Sequence, residues 1–212
     1  MSAVEENIAR LRERVPAHVR IMGVVKKQPV EKIQAAIRSG VTLLGVNYAQ
    51  EGEALQATCP AAHWHFIGHI QSRKTKYLLQ YEQVQSLDRL DIAEDLNQRA
   101  LALNKTLDVL VQINIGDEQT KSGIALEELE PFAEALGKLP GLRCRGLMVL
   151  PPPLEPVEKR RPFFQKARRA LERFDALGWD QLSMGTSEDF QIAVDEGATI
   201  IRLGTVLFGP RA

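Results

Sequence analysis

Residues 21–29 read Ile21-Met22-Gly23-Val24-Val25-Lys26-Lys27-Gln28-Pro29. An apolar run rich in branched residues suits a strand buried on both faces. Pro29 suits the first turn of a helix, where its missing N–H has no intrahelical partner and its φ is already set. A strand that hands over to a helix is the first half of a βα unit. Two lysines close the strand, and an unpaired ammonium in apolar surroundings is costly. Either the lysines reach solvent along their apolar stems, or one serves chemistry. A desolvated lysine loses part of its preference for the protonated form, and its free amine condenses with an aldehyde. From this stretch alone, solvent is the simpler destination.

The alternation continues on both sides. Upstream, Ser2-Ala3-Val4-Glu5 has the form of a capping box, and Val4, Ile8 and Leu11 follow at helical spacing. This predicts a helix to about Arg14, broken by Pro16. Downstream of the strand at 20–25, Val30, Ile33 and Ile37 share one helical face, with Gly40 as the stop. A strand at 43–46 precedes a helix over 48–57. A strand at 64–68 precedes a helix over 73–79 that Ser72 would cap. A weak strand at 84–87 leads to a periodic helix through Leu90, Ala93, Leu96 and Ala100, capped by Asp88. The strand at 108–114 is the clearest in the chain, and Pro131 marks the first turn of the next helix. A strand at 144–150 ends on three prolines, followed by a long helix over 157–177. The last units are a strand at 181–185, a helix over 190–196 stopped by Gly197, and a strand at 199–204.

Eight strands separated by helical segments imply parallel pairing with right-handed crossovers. No composition shift marks a linker. The expected fold is α/β, a single (β/α)8 TIM-type barrel with an additional N-terminal helix, forming one domain over 1–212. An open doubly wound sheet is the rival, but no G-x-G-x-x-G follows the first strand.

Lys+Arg and Asp+Glu each total 27, so no basic excess advertises a nucleic-acid partner. Lys159-Arg160-Arg161 through Arg168-Arg169 reads as the solvated face of a helix. Cys59 and Cys144 fit neither a metal-ligand nor a redox spacing, which suits a reducing compartment. Glu5, Glu6, Arg10 and Arg12 argue against a signal or transit peptide, and no apolar run approaches a membrane span of roughly 20 residues. The expectation is a cytoplasmic protein without metal, membrane or nucleic-acid partner. With no long unpaired apolar helix face, a monomer is expected.

In a barrel of this type the site lies at the carboxyl ends of the strands. Those ends offer Lys26, Asn47, Gly68-His69, Asn114, Met148, Gly185-Thr186-Ser187 and Arg202 with Gly204-Thr205. Thr186 or Ser187 would start the helix after strand seven, with hydroxyls and free N–H groups at its positive end. Gly204-Thr205 adds a close backbone approach and a hydroxyl after strand eight. Ser187 alone reads as a helix cap and Gly204 alone as a turn. Together they stand where such barrels bind phosphate. Arg202 interrupts the apolar strand Thr199–Leu203 and must face the mouth or pair with an acid. A lysine, an arginine and a phosphate site so arranged suggest pyridoxal phosphate, held by a Schiff-base lysine with a partner at the pyridine nitrogen. An arginine does not give up its proton, so it leaves that nitrogen unprotonated and the ring a weak electron sink. His65 reads as a hydrogen-bonded core residue. His69 is a possible base, and Tyr48 and Met148 are ring neighbours or core filler.

GVVKKQP (23–29), GVNYAQE (45–51), WHFIGHIQSRKTKYL (64–78), LVQIN (110–114), RGLMVLPP (145–152), LSMGTSEDFQIAVDEGAT (182–199) and RLGTVLFGPR (202–211) stand in this order. They resemble successive motifs of the pyridoxal phosphate homeostasis protein family. That family is similar to the barrel domain of alanine racemase but lacks its second domain. The match runs from the strand at 20 to Arg211. The resemblance implies that Lys26 carries the aldimine and that Asn47 lies near the cofactor ring. It implies Ser187, Gly204 and Thr205 at the phosphate and Arg202 near the pyridine nitrogen. Three departures stand out: Val46 where the family usually has glutamate, Val25 for a usual serine, and Thr186 for a common methionine. The function implied is a non-catalytic handler of pyridoxal phosphate that buffers the aldehyde and releases it to apo-enzymes. The alternative is a small enzyme acting on amino acids, with Lys26 as the sole base for racemase-like proton exchange.

Overall fold

Eight parallel strands close on themselves in chain order, so that β1 (Arg20–Val24) pairs with both β2 (Leu43–Val46) and β8 (Ile200–Leu203). Between them lie β3 (His63–Phe66), β4 (Gln83–Leu87), β5 (Leu107–Ile113), β6 (Leu142–Val149) and β7 (Gln181–Ser183). This computed structural model describes residues 2–118 and 122–210. Arg211, where the last motif ends, lies outside them. The architecture is the expected (β/α)8 barrel.

The helices are α1 (Ala3–Arg14), α2 (Val30–Arg38), α3 (Ala49–Thr58), α4 (Leu90–Ala102), α5 (Leu129–Leu136), α6 (Arg161–Glu172), α7 (Phe190–Asp195) and α8 (Thr205–Phe208). The capping box of α1 is formed: Ser2 Oγ accepts the Glu5 N–H, and Glu5 Oε2 accepts the Ser2 N–H at 2.7 Å. With Val4, Ile8 and Leu11 buried, α1 lies against α2 and α8, and Asn7 Nδ2 donates to Leu207 O at 3.1 Å. No helix among the described residues is long and apolar enough to cross a membrane.

Four local expectations need correction. The segment 73–79 is part of a 3-10 helix, Ser72–Gln80, with Ser72 inside it and Gln71 at the cap position. Asp88 does not cap α4, because Arg89 occupies that position; Asp88 Oδ2 instead accepts the Gly123 N–H at 3.1 Å. The long helix over 157–177 divides into a 3-10 segment Val157–Arg160, then α6, then a 3-10 turn Asp175–Leu177. Pro162 stands in the first turn of α6, where it starts a helix more readily than it continues one. Finally, the basic run is not wholly solvated. Lys159, Arg168 and Arg169 are exposed, but Arg160 is only 4% exposed.

Two layers of side chains fill the structure. Outward-facing residues join the helices in the main apolar core, with Phe164, Leu96 and Ile33 fully buried. Inside the barrel, Met22, Leu43 and Ile200 form a separate apolar plug on the β8–β1–β2 side. The opposite side is polar. Gln83 Nε2 donates to Gln181 Oε1 at 2.9 Å and Ser183 Oγ donates to Gln85 Oε1 at 2.7 Å, so β4 and β7 are tied across the interior.

Closure also depends on β6. Gly146 has φ +143°, and a Cβ there would lie 2.0 Å from the Gln181 carbonyl oxygen on β7. The register between β5 and β6 shifts beside it, as at a bulge. Only glycine meets both demands.

Candidate functional site

Lys26 and Lys27 lie in the turn between β1 and α2, past the last paired residue of the strand. Lys26 is half-buried, and its Nζ stands 5.2 Å from the centre of the Tyr48 ring, a cation–π distance. Lys27 is exposed with φ +57°, and its backbone N–H donates to Glu51 Oε1 at 3.3 Å. The lysines therefore diverge because the turn passes through the left-handed region, uncommon for a residue with a Cβ.

Asn47 follows β2 directly. Its Oδ1 is buried and has no hydrogen-bond partner among the described residues. Leaving such an acceptor unsatisfied costs about 1–3 kcal/mol, which is a reason to look for a donor that comes from outside the chain.

Arg202 projects from β8 into the barrel with 5% exposure. Its Nη1 donates to Ser183 Oγ at 2.7 Å and its Nη2 to Val149 O at 2.8 Å, both neutral acceptors. Burial pulls its pKa down to about 10, partly offset by Asp189, so the guanidinium stays protonated at neutral pH. From Ser183 the hydrogen bonds continue into the barrel. Gln85 Nε2 lies 3.0 Å from His65 Nδ1 and 3.1 Å from Gln83 Oε1. An amide donor at Nδ1 leaves the neutral ring's proton on Nε2. Burial is the main cause that pulls the His65 pKa down to about 3, with Arg20 and His63 adding repulsion.

The loop after β7 departs from expectation. The helix α7 begins at Phe190, so neither Thr186 nor Ser187 starts it. Thr186 instead donates from its N–H (2.6 Å) and its Oγ1 (2.9 Å) to Asp189 Oδ1. Ser187 Oγ reaches across to the loop after β8 and accepts the N–H groups of Gly204 at 3.1 Å and Val206 at 3.3 Å. With both lone pairs engaged, the hydroxyl has its proton left to donate, which suits an anion. A Cβ built on Gly204 meets nothing within 4 Å, so the space beside it is open.

Lys26, Asn47, Ser187, Arg202, Gly204 and Thr205 all line one cavity of about 620 Å³ at the carboxyl ends of the strands. Met148, buried at 1%, contributes to its wall. Asn114 does not. Its amide closes its own loop, Nδ2 donating to Glu118 O at 2.9 Å and Oδ1 accepting the Glu118 N–H at 3.1 Å. His69 lines a neighbouring cavity of about 320 Å³, its Nδ1 3.0 Å from Ser122 Oγ. His65 is a core residue, as expected. Tyr48 is not core filler: it is 56% exposed. Burial pushes the Cys144 thiol up to about 12 and raises Cys59 as well, so neither is a ready nucleophile. No cluster among the described residues could hold a metal ion.

Several residues around the cavity escape a reading of the strand ends. Gln83, Gln85 and Ser183 are buried within strands, and the polar alternation of Gln83-Val84-Gln85 in an otherwise buried run was the available signal. Arg160 and Asp189 are joined at 3.0 Å although 29 residues apart, and no local pattern announces such a pair.

The residues present fit pyridoxal phosphate. A half-buried amine, an orphaned buried acceptor, a guanidinium with only neutral partners and a hydroxyl with a free proton share one cavity. A closed parallel barrel with that set at its mouth defines the class of the alanine racemase barrel domain. The family model described as "Alanine racemase, N-terminal domain" indeed matches residues 1–212. Within that class, the chain is 40% identical to the pyridoxal phosphate homeostasis protein of Pseudomonas aeruginosa, over 100% of this chain and 97% of the relative. The protein of that name from Aquifex aeolicus is 39% identical, over 100% and 96%. The solved structure of PipY from Synechococcus elongatus with pyridoxal phosphate bound superposes with a TM-score of 0.89 at 31% identity, covering 97% of this chain and 100% of that one. The chain belongs to the pyridoxal phosphate homeostasis protein family.

Proposed function

We propose that this protein binds pyridoxal phosphate in the cavity at the barrel mouth and serves cytoplasmic pyridoxal phosphate homeostasis without catalytic turnover. The observation that carries the reading is the single cavity lined by Lys26, Asn47, Ser187, Arg202, Gly204 and Thr205. The relative PipY, solved with pyridoxal phosphate bound, supports it. When bound, the cofactor would supply an aldehyde, and Lys26 is the amine placed to meet it. Asn47 Oδ1 would accept a donor from the ligand, Ser187 would donate to the phosphate, and Arg202 would stand at the pyridine nitrogen. A guanidinium that stays protonated has no proton to give, so the ring is not primed as an electron sink. Val46, where a carboxylate is usual in the family, is fully buried and offers no proton relay. The protein acts as a monomer and passes the cofactor to apo-enzymes.

The test is direct. The purified protein is titrated with pyridoxal phosphate, reduced with borohydride and mapped by mass spectrometry. In parallel, L- and D-amino acids are incubated with it in deuterated water and followed by NMR. The expected result is one pyridoxyl group per chain with background exchange at the α-carbon. Rapid exchange that depends on Lys26 would replace the carrier by an enzyme.

A further inference from the structure

We propose that Arg160 is a positioning residue for the phosphate: it fixes the loop after β7 and draws the charge of Glu188 away from the cavity. This rests on the reading that the phosphate lies at Ser187 and Gly204. Ser187 is followed at once by Glu188 and Asp189, and Glu188 lines the cavity. Two carboxylates beside a phosphate donor would repel a dianion, and a cation paired with them offsets part of that charge.

Arg160 is that cation. It comes from the 3-10 segment after β6 and is not among the cavity-lining residues. All three nitrogens of its planar fork are engaged. Nε donates to Leu154 O at 3.1 Å, Nη1 to Asp189 Oδ2 at 3.0 Å, and Nη2 to Glu188 Oε2 at 3.0 Å and Glu155 Oε1 at 3.3 Å. Asp189, 2% exposed, passes the restraint on through its other oxygen, which holds the Thr186 N–H and hydroxyl. Ser187, the next residue, then meets the N–H groups of Gly204 and Val206. One guanidinium thereby sets the loops after β6, β7 and β8 against each other. A lysine could keep the charge beside Asp189, but one ammonium cannot reproduce the fork.

The test compares dissociation constants for pyridoxal phosphate and for pyridoxal, which lacks the phosphate. Arg160→Lys keeps Asp189 paired but releases Glu188. Pyridoxal phosphate should bind about tenfold more weakly, from the Coulomb repulsion of the freed carboxylate, with pyridoxal changed less than about twofold. Adding Glu188→Gln should restore most of the loss. Should Arg160→Lys not fold, Arg160→Gln with Asp189→Asn replaces the buried ion pair by two amides and should show the same phosphate-specific loss. An unchanged ratio between the two ligands in a folded variant, equal losses for both, or no rescue by Glu188→Gln overturns the proposal. A wild-type protein with no preference for pyridoxal phosphate over pyridoxal would reject the phosphate site itself.

Discussion

Lys26 holds its ammonium over the Tyr48 ring, while Lys27 projects into solvent from a left-handed backbone. Strand alternation would separate neighbouring lysines by face, but β1 ends at Val24 and both residues lie in the turn. The backbone at Lys27 does the separating. Lys26→Ala should therefore abolish the borohydride-trapped adduct, and Lys27→Ala should leave it in place. A pyridoxyl group mapped to Lys27 in the wild-type protein would reverse the assignment. Arg202 is placed by another route. It is buried between neutral acceptors on β7 and β6, still protonated at pH 7, and aimed by bonds that no local sequence pattern contains.

At the scale of elements, the barrel closes through β6 and β7, where two backbones approach more closely than a Cβ allows. Gly146→Ala adds a clash with the Gln181 carbonyl to an unfavourable φ, and should cost about 3 kcal/mol or more. Gly178→Ala is the control. Its φ is +73°, but a Cβ there meets nothing within 4 Å, so only the backbone strain of about 1 kcal/mol applies. Urea unfolding of the two variants measures the difference. Equal losses would show that the contact between β6 and β7 is not what demands glycine.

At the scale of the whole molecule, the polar side of the interior makes stability depend on pH. His65 is neutral in the fold, with its pKa drawn down to about 3 from a usual value near 6.5. Below 6.5 the unfolded chain binds a proton that the folded chain refuses, so stability falls as the pH drops from about 6.5 toward 3. The slope approaches one proton, about 1.4 kcal/mol per pH unit. The lowered pKa of Asp95, caused chiefly by its bond to Arg99, acts below its ordinary value of 3.8 and so beneath most of this window. His65→Gln keeps an acceptor for Gln85 and removes the titration. Urea midpoints between pH 4 and 6 should fall less steeply in this variant than in the wild type. Identical slopes would mean that His65 takes up its proton in the folded state.

Strand and helix order could be read from the sequence because burial on two faces leaves apolar runs, and burial under a barrel leaves one apolar face per helix. That order determined the barrel, and the barrel determined which strand ends meet at the mouth. Lys26, Asn47, Ser187 and Arg202 stand at or beside those ends and line one cavity. Strand limits were less legible, since hydrophobicity reports burial and not ladder pairing: β3 and β7 stop two residues before their apolar patterns do. The neighbours that aim the site belong to the tertiary structure alone. Ser187 bonds to residues 204 and 206, Arg160 to residue 189, and Gln85 to residue 183. Each contact joins loops or strands far apart in the chain. A buried polar group accepts any partner of the right geometry, so only closure of the barrel decides which one it meets.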